Sequence, residues 1–148
     1  PRPDMRDGPA FVLNTQMTST GNAGELMLIS RDLGRDDDFE TWREIFERGV
    51  DGLLWALAQD RAWTDYDPNA LEYALATGGP ASYHVHTVGS WLPRIIRVSD
   101  EIGGYRIDEM LSYLQRMTKA KLMEDHPRNV ENALELLEEF GAHQEADQ

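Results

Sequence analysis

The sequence predicts a mainly α-helical fold of about five helices, preceded by an extended arm and a β-hairpin. Three observations carry this expectation. Apolar residues recur at the 3.6-residue helical period over 39–57, 90–102, 107–122 and 130–140. Gly, Pro and acidic residues stand where those stretches begin and end. Near the N-terminus the helical period is lost, and two short apolar runs flank a segment rich in Gly, Ser and Thr. If residues 82–88 form a strand, the class becomes α+β.

Residues 1–9 hold three prolines and a glycine and read as an extended arm. Residues 10–141 read as one helical domain with the hairpin at its start, and residues 142–148 as a polar tail. The hairpin comprises Ala10 to Met17 and Glu25 to Ser30, with Thr18-Ser19-Thr20-Gly21-Asn22-Ala23-Gly24 as its turn. A charged loop from Arg31 to Asp38 follows. Asp37 or Asp38 is expected to cap the next helix, with acids against its positive end.

That helix carries Phe39, Trp42, Ile45, Phe46, Val50, Leu53, Leu54 and Leu57 on one wide face. Gly49 and Gly52 interrupt it at roughly 1 kcal/mol each, which suits a close helix approach. Asn69 and Glu72 have capping-box spacing and open a short helix that stops at Gly78-Gly79-Pro80. Residues 81–89 fit helix better than strand, with a break near Gly89–Pro93. Residues Ser90 to Ile102 are helical and end at Gly103-Gly104. Ile107, Met110, Leu111, Leu114, Met117 and Leu122 mark the following helix. Pro127 opens the last one, whose face is Val130, Ala133, Leu134, Leu137 and Phe140, with Gly141 closing it.

At 148 residues and 16.8 kDa the chain suits one domain that buries roughly 70% of its unfolded surface. Its net charge is −13. That balance disfavours direct nucleic-acid binding, which needs concentrated positive charge, and docking on anionic lipid. The near-neutral stretch 94–128 lies between two acidic ones, an arrangement that suits self-association or intrachain pairing. Cysteine is absent, which removes disulfides, thiolate catalysis and thiolate metal sites. No apolar run approaches a membrane span or a secretory signal, so the expected location is cytoplasmic, or within a virus particle assembled there.

Local chemistry is sparse. His84 and His86 would share one side of a strand and could ligate a metal ion; on a helix their rings diverge. Surface or interface histidines account for the pair more simply, and no metal or other cofactor is expected. Asp36-Asp37-Asp38 lacks the glycine and terminal glutamate of a calcium loop and reads as helix capping. Asp65 with Asp67, or Glu138 with Glu139, would need a cleft to act as an acid–base pair. Arg94, Arg97, Arg106, Arg116, Lys119, Lys121 and Arg128 form a basic stretch, largely neutralised by interleaved acids. Four tryptophans are many for this length, and Trp55 lies off the apolar stripe of its helix.

These features predict a non-enzymatic protein that works through protein–protein contact. The preferred version is a self-associating part or accessory of a larger assembly, such as a viral or phage particle. Gly49, Trp55, Trp63, Arg94 and Arg97 are the expected interface residues. One alternative is an acidic mimic of nucleic acid that blocks a basic protein such as a defence nuclease. The other is a metal-dependent hydrolase using His84 and His86.

Overall fold

The structure is a computed structural model that describes residues 13–58 and 81–146. The arm, Trp63 and the expected 69–77 helix lie outside those residues. Among the described residues the protein is mainly helical, as the periodicity predicts, and contains no strand.

The hairpin expectation is overturned. Leu13–Asp32 form one continuous helix, α1, and the supposed turn is its middle. The small residues are there for packing. A Cβ on Gly24 would come 2.6 Å from Val98 Cγ1 and 3.0 Å from the Phe46 ring, and one on Gly21 would meet the Arg94 guanidinium at 2.7 Å. Thr20 is buried against Gly49, and its hydroxyl donates to the Gln16 carbonyl at 2.7 Å. Ser30 likewise donates to the Leu26 carbonyl at 2.8 Å. Each hydroxyl is satisfied within its own helix, so Ser and Thr can occupy the buried side without an unpaired polar group.

Helix α2 spans Asp36–Leu57. The loop before it is shorter than expected. Arg35 N–H donates to the Ser30 carbonyl at 2.9 Å and Gly34 N–H to the Arg31 carbonyl at 3.0 Å, a Schellman closure with Gly34 at φ 70°. Arg35, rather than Asp37 or Asp38, occupies the cap position and makes no side-chain cap bond. The three aspartates instead fill the first turn, where they favour the positive helix end. α1 and α2 run antiparallel, Gly24 lying level with Phe46 and Thr20 with Gly49.

Residues Ala81–His86 (α3), a π-helical turn over Thr87–Trp91 and Leu92–Glu101 (α4) form one continuous helical stretch. The strand alternative for 82–88 is therefore overturned. The wide turn has a local cause. Pro93 supplies no N–H and crowds the carbonyl four residues back, and Leu92 N–H reaches the Thr87 carbonyl five residues back. Asn129 packs against Gly89, where a side chain would collide with it, and donates to the Val85 carbonyl at 3.3 Å.

Helix α5 (Ile107–Thr118), a 3₁₀ turn (Lys121–Asp125) and α6 (Pro127–Ala146) complete the fold. α6 runs through Gly141, which was expected to close it, and into the stretch expected as a tail. A lone glycine costs a helix about 1 kcal/mol without ending it. The core gathers Phe46, Leu53, Leu92, Ile95, Ile96, Met110, Leu114, Met117 and Leu136. Leu136 is buried on α6 in place of the expected Leu134, which is 52% exposed.

Gly24→Ala is expected to lower stability by about 1–3 kcal/mol, despite alanine's better helix propensity, because the methyl has no room. A urea midpoint equal to or above wild type would show that the contact is loose.

Candidate functional site

The expected residues that fall in the described segments can now be located; Trp63, Asp65 and Asp67 lie outside them. His84 is fully buried, and its Nε2 donates to the Met117 carbonyl at 2.9 Å, joining α3 to α5. His86 is exposed, with its ring 5.6 Å from that of Trp91. On this helix the two imidazoles part, His84 inward and His86 outward, so they do not share one side as they would on a strand. Among the described residues no three His, Asp or Glu side chains converge as a metal set.

Arg94 and Arg97, expected at an interface, reach other parts of the chain. Arg94 pairs with Glu25 at 2.7 Å and donates to Asn22 at 3.1 Å, on α1. Arg97 pairs with Glu139 of α6 at 3.1 Å. These half-exposed pairs orient helices and contribute roughly 0–1 kcal/mol each. Gly49 is buried beneath Thr20. Trp55 is 57% exposed on α2.

The densest polar constellation was not anticipated. It joins α2 to the turn between α4 and α5. Tyr105 donates its hydroxyl proton to Asp51 Oδ1 at 2.8 Å, and Arg106 donates to the same oxygen at 2.9 Å. The other face of the Arg106 fork holds Glu109 through two bonds of 2.9 and 2.6 Å. Ser99 donates to the Tyr105 carbonyl at 2.7 Å. Arg106 itself is left-handed, at φ 49°, a conformation that costs a residue with a Cβ roughly 1–2 kcal/mol. The forked contact with two carboxylates offsets that cost and identifies the group as a structural clasp. Its signal in sequence is only Gly103-Gly104 followed by Tyr-Arg, because Asp51 is 54 residues away from Tyr105.

The clasp perturbs its members. The hydrogen bond to Asp51, then partial burial, raises the Tyr105 phenol above the ordinary tyrosine range. The Arg106 hydrogen bonds hold Glu109 below the usual carboxylate range, and Glu109 then Asp51 raise Arg106.

Two kinds of exposed surface remain. Acids line α2 (Asp36, Asp37, Asp38, Glu40, Glu44) and α6 (Glu131, Glu135, Glu138, Glu139), all exposed. A shallow concavity of about 470 Å³ runs beside Glu40, Thr41, Arg43, Glu44 and Glu47. All five of these described residues belong to α2. The second kind is apolar: Leu26, Ile29, Leu33, Ile45, Trp55 and Leu134 are each 41–66% exposed. No described helix is long and apolar enough to cross a membrane.

Fold and surface together define an acidic, mainly helical protein with exposed apolar side chains. Comparison with protein-family models, curated proteins and solved structures finds no match for this chain.

Replacing Asp51 with Ala removes the acceptor shared by Tyr105 and Arg106 and should cost about 1 kcal/mol. The raised phenol contributes stability through neutral pH and loses it as pH rises through the folded value. Glu109 contributes above the ordinary carboxylate range and loses it as pH falls through its depressed value. In ultraviolet titration, one tyrosine of Asp51→Ala should therefore ionise at lower pH than in wild type. Superimposable titrations would refute the clasp.

Proposed function

We propose that this protein is a non-enzymatic interaction component that associates with further copies of itself, as a part or accessory of a larger assembly of the viral or phage particle kind. The observation that supports the reading is the set of large apolar side chains that stand about half exposed on a strongly acidic chain. Trp55 is the largest of them, on the outer side of α2. Exposed Trp and aliphatic side chains are favoured where proteins meet partners. Gly49 serves that association from inside, by setting how closely α1 and α2 approach.

Native mass spectrometry over a concentration series tests the reading. A defined oligomer is expected, and it should dissociate on dilution with helix content intact. A monomer throughout the series contradicts the proposal.

The second reading is an acidic nucleic-acid mimic. Its support is the exposed ridge Glu131, Glu135 and Glu138 on α6, whose steps of roughly 5 Å along the axis are of the order of phosphate spacing. It requires capture of a basic protein that falls steeply between low and moderate salt. Salt-insensitive capture removes it.

A further inference from the structure

We infer that the outward face of α1 is the surface on which a second copy of this chain docks, antiparallel, about a two-fold axis level with residue 24. This rests on the self-association reading and specifies its contact.

The face consists of Thr15, Ser19, Asn22, Leu26 and Ile29, spaced at three and four residues, with Thr18 beside Ser19 and Leu33 just past the helix end, all exposed. It is about 27 Å long. None of these residues is charged, and the exposed Glu25 beside them is paired with Arg94 at 2.7 Å, which also donates to Asn22, so the face has no net charge although the chain carries −13. The outer sides of α2 and α6 present Asp37, Glu40, Glu44, Glu131, Glu135 and Glu138 instead. Two copies of so acidic a protein repel each other, and ionised side chains resist dehydration. A face without net charge is where like molecules meet with least repulsion. A basic partner would choose the acidic faces.

The face is also complementary to itself. Its N-terminal half is small and polar (Thr15, Ser19, Asn22) and its C-terminal half is bulky and apolar (Leu26, Ile29, Leu33). Parallel pairing sets bulk on bulk. Antiparallel pairing about residue 24 sets Leu26 opposite Asn22, Ile29 opposite Ser19 and Leu33 opposite Thr15 of the second copy. The same residues then serve both copies, which closes a dimer. Ile45, one turn before Gly49 on the α1-facing flank of α2, is 44% exposed at the edge of this face.

A seam one helix wide falls at the low end of specific interfaces, near 1,200 Å² in total. The dimer should therefore dissociate on dilution.

The chain has no cysteine, so introduced thiols are unique. Ser19→Cys and Ile29→Cys proteins, one bearing a mass tag, are mixed and oxidised at a concentration where wild type is oligomeric. The mixed disulfide should exceed either homodimer at least five-fold. In addition, Ile29→Glu, and separately Ser19→Glu, should raise the dissociation midpoint at least ten-fold with unchanged circular dichroism. A random two-to-one-to-one distribution, or undiminished association of both Glu variants, rejects this face while self-association stands. A wild-type monomer at every concentration rejects both. A monomer in which the Ile29→Cys thiol resists alkylation shows the face covered by residues of its own chain, and also overturns the assignment.

Discussion

The closeness of α1 to its neighbours sets the terms for the rest of the fold. At Gly24 the helix touches both Phe46 of α2 and Val98 of α4, and four residues earlier Thr20 seats on Gly49. Such spacing is open only to residues with little or no side chain on the facing side. It brings Met17 and Met27 fully out of water although α1 supplies few large apolar groups. Stability here comes from backbone proximity and dispersion, with the hydroxyls of Thr20 and Ser30 returned to their own carbonyls. Charged residues then fix the rotation of α1. Arg94 lies across Gly21 to reach Asn22 and Glu25, and Arg31 reaches Glu101.

The second half of the chain is organised around the helical stretch from Ala81 to Glu101. Pro93 would break an α-helix at this depth, and the π turn over Thr87–Trp91 absorbs it while keeping Leu92, Ile95 and Ile96 buried. Asn129 of α6 packs on Gly89 and bonds to Val85, and His84 bonds to Met117. α5 and α6 are thereby attached at the irregularity and in the turn just before it. The Tyr105–Arg106–Asp51 clasp ties the far end of the same stretch to α2. The polar groups that looked most like chemistry in isolation, His84 and the arginines, act as these ties.

What could be read from the sequence follows from where large apolar side chains lie. α2, α4, α5 and α6 announce themselves because Leu, Ile, Val and Phe repeat at 3.6 residues on the side that is buried. Errors on those elements are of phase or end: Leu134 for Leu136, Gly141 as a stop, Asp37 or Asp38 as a cap. α1 was illegible because its buried positions are Met17, Thr20, Gly21, Ala23, Gly24, Met27 and Ser30. The period is present, but in size rather than hydropathy, and Gly with Ser and Thr is also what a turn requires. The clasp was illegible for a different reason, since no local pattern pairs Asp51 with Tyr105. The exposure of Trp55 was legible from its position off the stripe.

The run Leu26-Met27-Leu28-Ile29 links that misreading to the surface of the protein. Four consecutive apolar residues suit a buried strand, in which alternate side chains each find a layer. In a helix each residue turns about 100° from the last, so four in succession point to every side and one packed face cannot take them all. Met27 is buried and Leu28 packs against the core, while Leu26 and Ile29 stand 41% and 53% in solvent. A helix with apolar groups on opposite sides has two surfaces to satisfy, and the fold satisfies one. The same four residues that argued for a strand therefore argue, once α1 is known, for a contact outside the domain.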